Sequence, residues 1–207
     1  MTRSDSLGPA SVAAGRGLSS VSGMILAGGR SSRMGANKAL LREATTGETY
    51  LHHLVAELAG CDELLLSVDT AQRFPGCALP KVVDAVPGQG PLGGLCAGMS
   101  ACRNHLLFAV ACDQPLFRRE LAERLVAEWQ PGVDAVVPQE ESGRRHPLCA
   151  VYAKSALPEL RARLAAGNLR LRDALDALRV RYVRPTPAEL AMLANVNTPS
   201  DVRALRA

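Results

Sequence analysis

Gly28 and Gly29, followed by Arg30, Arg33, Gly35 and Lys38, place a flexible turn and three cations directly behind a short apolar run, Met24 to Ala27. A glycine pair lets the backbone take positive φ and approach a ligand closely, because no Cβ intervenes. Peptide N–H groups gathered in such a turn point together at anionic oxygens, and the neighbouring arginines and lysine are within reach to neutralise them. The chemistry this suits is the binding of a nucleoside triphosphate. The spacing departs from both of the commonest phosphate loops. A P-loop needs G-x-x-x-x-G-K-[ST], whereas Gly29 and Gly35 have five residues between them and Lys38 comes three after Gly35. The dinucleotide fingerprint fails as well, since the leading glycines are adjacent and Arg33 stands where a third glycine would be sought.

Open α/β sheets bind ligands at the carboxyl ends of their strands, so polar residues that terminate apolar runs come next: Ser67 to Asp69, Asp84 and Asp113. Asp113 follows the continuous run Leu106 to Cys112, where no helix cap or ion pair requires a carboxylate; a turn into Pro115 is the plainer alternative. Asp84 ends Lys81-Val82-Val83 in the same way, and an Asx turn into Pro87 accounts for it equally. The segment Gly88 to Gly94 would let a base or ribose lie against backbone, or would serve only as a tight turn into a helix. Near the C-terminus, Thr198 suits an N-cap and Pro199 a first helical position, but capping leaves Asn195 and Asn197 unexplained. Arg144 to Pro147 form a basic element that could meet a phosphate or be a solvated loop.

The elements that must hold these residues follow from apolar periodicity. Short apolar runs predict strands at 24–27, 63–68, 81–83, 106–112, 134–137, 148–152 and 180–183. Helical stripes predict helices at 50–59, from the Gly94 turn to about 103, at 118–129, 157–166 and 171–178, and from Pro199 to the end. Strands separated by helices imply right-handed β-α-β crossovers and a mainly parallel sheet, and the run at 106–112 predicts a central strand buried on both faces. The fold class expected is a single-domain α/β Rossmann-like three-layer sandwich.

Leu26, Ala27, Gly28, Gly29, Ser31, Arg33, Met34, Gly35 and Lys38 together resemble the L-A-G-G-x-S-x-R-M-G-x-x-K signature of nucleotidyltransferases that include the molybdenum cofactor guanylyltransferases, the MobA family. Asn37 departs from it, standing where the family commonly has aspartate. The related cytidylyltransferases usually carry alanine in place of Gly29, although Asp113-Gln114-Pro115 is a form common among them. Cys112 to Pro115 resemble the family's C-D-x-P motif, whose aspartate binds magnesium, and the turn Gly88 to Gly94 resembles its G-P-L-x-G segment. Asn195 to Pro199 match N-x-N-T-P, and Arg144 to Pro147 resemble R-x-H-P. The resemblance implies a nucleotide-diphospho-sugar transferase-like fold and transfer of GMP from GTP to molybdenum cofactor. It implies nucleotide contacts at Leu26, Ala27, Gly28, Gly29, Lys38, Ser67, Asp84 and Gly93, catalytic roles for Arg33, Lys38 and Asp113, Mg2+ on Asp113, and pterin contacts from Asn195 and Asn197. Client molybdoenzymes or their chaperones are the further partners it suggests. The alternatives are cytidylyl transfer and a protein that binds GTP and molybdopterin without turnover. A nicotinamide oxidoreductase is disfavoured by the missing fingerprint.

Composition bounds the rest. The 207 residues suit one domain, expected over 21–207 behind a Ser-, Gly- and Ala-rich disordered tail at 1–20. A net charge of +4 with only 3% aromatic residues argues against nucleic-acid stacking and fits small polyanions. No apolar stretch is long enough to span a membrane. Six cysteines without C-x-x-C spacing read as buried, reduced thiols of a cytoplasmic protein.

Overall fold

The computed structural model describes residues 17–28, 47–71, 74–84, 86, 88–196 and 201. A seven-stranded sheet has the order β3-β2-β1-β4-β6-β5-β7, built from β1 (Ser22–Leu26), β2 (Glu63–Val68), β3 (Lys81–Val83), β4 (Leu106–Ala111), β5 (Ala135–Pro138), β6 (Cys149–Ala153) and β7 (Val180–Val183). Chain order runs outward from β1 through β2 to β3, then returns to place β4 on the other side of β1. The strand order therefore reverses between β1 and β4, which opens a crevice beyond their carboxyl ends.

Alternation along the strands fixes the two layers of helices. Ile25, Leu66, Phe108, Val110, Val136 and Val151 point to one face. There they pack against α1 (Tyr50–Glu57) through Leu51 and Leu54, and against α3 (Arg119–Ala127) through Leu121 and Leu125. Met24, Leu65, Leu107, Ala109, Val137 and Tyr152 point to the other. That face is covered by α2 (Gly90–Ala101), α4 (Leu157–Ala165) and α5 (Leu171–Leu175) through Leu92, Leu95, Leu160 and Leu175. Each fully buried leucine contributes about 1.5–3 kcal/mol, so the two clusters supply most of what holds the sandwich together. β4, buried along its whole length, carries both clusters at once.

The expected sheet is mainly parallel, and it is so apart from β6. That strand runs antiparallel to both β4 and β5, pairing Leu106 with Ala153 and Val136 with Val151. The reason is the connection: residues 139–148 contain no crossover helix, only a loop closed by the Gln139–Arg145 bridge, so the chain must turn back. A helix not anticipated from the sequence, α6 (Pro187–Met192), follows β7. Its capping box is complete: the Thr186 side chain accepts from the Glu189 N–H, and the Glu189 carboxylate accepts from the Thr186 N–H at 2.7 Å.

Residues 1–16 of the expected tail, and the helix expected from Pro199 apart from Asp201, lie outside the described residues. Leu18–Ser20 form a short 3-10 turn with Leu18 buried in the core. Cys96, Cys102 and Cys149 are buried, while Cys61, Cys77 and Cys112 are half-buried, and none of the six is in a disulfide. Among the described residues no helix is long and apolar enough to cross a membrane.

Candidate active site

The crevice at the strand-order reversal is built from backbone first. Leu26 at the end of β1 accepts from the Cys112 N–H at 3.0 Å, and the Ala27 N–H donates to the Ser67 carbonyl at 2.9 Å. The chain leaving β1 is therefore held between the ends of β2 and β4. Gly28 comes next, and a Cβ there would stand 3.3 Å from the Asp69 nitrogen and 3.4 Å from the Val68 carbonyl carbon. Close packing against β2 thus favours glycine at this position independently of any ligand. Gly29, Arg33 and Lys38 lie outside the described residues.

Ser67, Asp84, Gly93 and Leu26 are brought together as the sequence suggested, around the start of α2. A Cβ at Gly93 would stand 3.3 Å from Asp84 Oδ2. One at Gly94 would stand 2.6 Å from Ser67 Oγ, 3.1 Å from Leu26 Cδ2 and 3.3 Å from Asp84 Oδ1. Asp84 Oδ1 is buried and has no hydrogen-bond partner among the described residues. Burial, then the nearby charge of Asp69, pushes the Asp84 carboxyl above the usual carboxylate range. A buried acceptor left open in this way fits a ligand N–H or O–H. Gly94 is as essential to this contact as Gly93; its place one helical step further along the same turn was the available signal.

Asp113 is half-buried at the carboxyl end of β4, on the far side of β1 from Asp84. Two segments clasp it: the Ala111 N–H donates to the Leu148 carbonyl, and the Val196 N–H donates to the Asp113 carbonyl, both at 2.8 Å. Asn195, exposed, is consequently beside Asp113, whereas Asn197 lies outside the described residues. Gln114 is buried with its Oε1 unpartnered among the described residues, a polar group that its position in a turn did not single out. Among the described residues no group of three or more His, Cys, Asp or Glu side chains is gathered. A site offering a hard carboxylate oxygen without a protein cage fits Mg2+, which takes one or two carboxylates and completes its shell with phosphate oxygens and water.

The basic loop divides its roles. Arg145 is engaged: it pairs with Asp176 and lies 5.1 Å over the Tyr182 ring. Arg144 remains exposed, 3.8 Å from Glu140. His146 is buried, with Nε2 hydrogen-bonded to Glu140 Oε1 at 2.7 Å. Burial pushes its pKa down against the opposing pull of the Glu140 hydrogen bond, and that bond pins the loop.

The model of the MobA-like NTP transferase domain matches residues 23–195. A probable molybdenum cofactor guanylyltransferase from Chloroflexus aggregans is 37% identical over 90% of this chain and 94% of its own. One from Carboxydothermus hydrogenoformans is 35% identical over 87% and 92% respectively. Among solved structures, molybdopterin-guanine dinucleotide biosynthesis protein A from Archaeoglobus fulgidus superposes with a TM-score of 0.78, at 22% identity, over 89% of this chain and 96% of its own.

Proposed function

The chain belongs to the MobA-like NTP transferase family and is a nucleotidyltransferase, and from that premise we propose that it transfers GMP from GTP to molybdenum cofactor, releasing pyrophosphate. The observation that carries this reading is the gathering of Leu26 to Gly28, Ser67, Asp84 and Asp113 around one crevice at the strand-order reversal. The relatives' names supply the reaction.

A phosphate oxygen of the acceptor attacks the α-phosphorus of GTP in line; the new P–O bond forms as the bond to pyrophosphate breaks. No covalent nucleophile on the protein is needed, so the chain acts by positioning and charge neutralisation. Gly28 admits the phosphates to the backbone, and Ser67 and Asp84, with Gly93 and Gly94 keeping the space above them open, receive the nucleoside. Asp84 Oδ1 accepts an N–H or O–H from it. Arg33 and Lys38 neutralise the triphosphate and the leaving group. Asp113 holds Mg2+, which when bound neutralises charge on the phosphate oxygens. Asn195, beside the Asp113 carbonyl, and Asn197 meet the acceptor.

The test is pyrophosphate release with GTP and with CTP in parallel, in the presence of molybdenum cofactor and Mg2+. Release with GTP alone is expected. Release with CTP alone would reassign the base, and silence with both would leave a binding protein.

A further inference from the structure

Asp113 is held from two directions. Its own chain runs on through residues 114–118 into α3, and on that path the Phe117 carbonyl accepts from His53 Nε2 of α1 at 2.8 Å. Its carbonyl accepts from the Val196 N–H at 2.8 Å, so the other hold is set by the segment that follows α6. Whatever fixes α6 relative to α3 therefore bears on the backbone that carries the Asp113 carboxylate.

The polar tie between those two helices is Arg124, in the last turn of α3. Its Nη1 donates to Glu189 Oε2, and its Nη2 donates to the Arg184 carbonyl at 3.0 Å. One guanidinium thus grips the junction of β7 and α6 on both sides. Arg184 directly follows β7, while Glu189 lies in the first turn of α6, where its carboxylate also accepts from the Thr186 N–H at 2.7 Å. Burial would raise the Glu189 carboxyl, but the bonds from Arg124 and Thr186 prevail and hold it below the usual carboxylate range. The tie is therefore a charge-assisted one, and Glu189 is itself buried.

A helix of only six residues does not keep its shape unaided. The start of α6 depends on the cap and on Arg124; beyond its end stands Leu193, buried in the same cluster as Leu121 and Leu125 of α3. Val196 follows three residues after Leu193 and is buried too. So short a run leaves little slack to absorb a shift of α6 before it reaches Asp113.

We propose that Arg124 and Glu189 are positioning residues for the transfer reaction: the charged pair between α3 and α6 keeps the Val196 N–H on the Asp113 carbonyl and so keeps the Asp113 carboxylate in place for Mg2+. Both act through α6 and Val196. The inference rests on the reading of Asp113 as the Mg2+ carboxylate.

The test uses the full chain carrying Glu189→Gln, which can still complete the capping box but no longer meets Arg124 as a carboxylate, and separately Arg124→Ala. Exchange of the Val196 amide with solvent should quicken about tenfold or more in both, the scale of a lost hydrogen bond to a charged group, while the β4 amides change far less. GTP affinity in EDTA should match wild type. The gain in GTP affinity on adding Mg2+ should shrink about tenfold, the low end of what losing an outer partner costs a metal site, and the Mg2+ concentration for half-maximal pyrophosphate release should rise by a similar factor. Asp134→Asn is the control for lost stability alone, because Asp134 pairs with Arg179 at the amino end of β5, the opposite end of the sheet from Asp113. It should lower the thermal midpoint and leave the Mg2+ response as in wild type. If Asp134→Asn reproduces the Mg2+ effects, or if Val196 exchange and the Mg2+ response stay as in wild type in both variants, the inference is overturned. Asp113→Ala separates the two readings. Mg2+-dependent release surviving in that variant would overturn the metal assignment and this inference together, whereas its loss beside a wild-type Mg2+ response in Glu189→Gln and Arg124→Ala would overturn this inference alone.

Discussion

Gly94→Ala puts the nucleotide crevice under a defined load. The added methyl would arrive 2.6 Å from Ser67 Oγ, 3.1 Å from Leu26 Cδ2 and 3.3 Å from Asp84 Oδ1. Leu26 and Ser67 belong to the ends of β1 and β2, and both are buried, so neither can swing clear into solvent. Overpacking of this kind costs about 1–3 kcal/mol. Replacing glycine by alanine inside a helix returns about 1 kcal/mol of it. The net loss is therefore roughly 0–2 kcal/mol, and at about 2–4 °C per kcal/mol for a chain of this size the thermal midpoint should fall by up to ~8 °C. Function should suffer more than stability, because the methyl displaces the two oxygens proposed to receive the nucleoside: a rise of about tenfold in the KM for GTP corresponds to the loss of one hydrogen bond to a charged group. Thermal unfolding and GTP titration of Gly94→Ala, of Ser67→Ala and of the double variant form a cycle. Removing Ser67 Oγ should recover part of the midpoint lost to the methyl. Wild-type GTP affinity in Gly94→Ala, or a double variant no more stable than additivity allows, would refute the steric account.

Three further outcomes are expected. Asp113→Ala should abolish Mg2+-dependent pyrophosphate release while leaving the circular dichroism spectrum unchanged, and near-normal turnover would remove the metal from this residue. Asp84→Asn should raise the thermal midpoint at neutral pH while weakening GTP binding. The reason is that the Asp84 carboxyl is raised in the fold, so stability declines as pH rises through its folded pKa and the charged form is the less stable one; a midpoint below wild type at pH 7 would contradict this. Asp134→Asn should lose about 2 kcal/mol, because Asp134 accepts from Ser155 Oγ at 2.6 Å and from Arg179 Nε and Nη2 at 2.9 Å. Those Arg179 bonds hold its carboxyl well below the usual range, so the stabilisation is complete above the ordinary carboxylate pKa and fades as pH falls through the folded one. Urea titrations from pH 7 to pH 3 should show the wild-type advantage shrinking toward acid.

The strands were legible because burial on one or both faces leaves an apolar pattern that the sequence cannot hide. Glu63–Val68, Lys81–Val83 and Val180–Val183 appear at the expected boundaries. The positions of Ser67, Asp84 and Asp113 were legible for a related reason, since a polar residue at the end of an apolar run in a parallel sheet lies at the strands' carboxyl edge. The short helix α6 was not anticipated, because its six residues give too little periodicity to separate a helix from a loop, although the capping-box pattern Thr186-Pro187-x-Glu189 that starts it stands in the sequence. Pairings between distant segments left no local trace either. Nothing in residues 139–148 announces that Glu140 will bond His146 and leave Glu141 to Arg184, and nothing near Val196 announces its bond to Asp113.

The single antiparallel strand widens the end of the sheet at which Gly28, Asp84 and Asp113 lie. Had β5 been followed by a crossover helix, as β3 is by α2, the next strand would have entered from the opposite end and the connection would have lain on a face of the sheet. The loop 139–148 instead turns back at the end where β1, β3 and β4 present Gly28, Asp84 and Asp113. β6 then descends between β4 and β5, which moves β7 one strand further from β4. The segment that returns from β7 to Asp113 must therefore bridge β5 and β6, and α6 is what spans that interval. Without the reversal, β7 would lie one strand nearer β4, and the segment after it would have one strand fewer to cross before its Val196 N–H reached the Asp113 carbonyl.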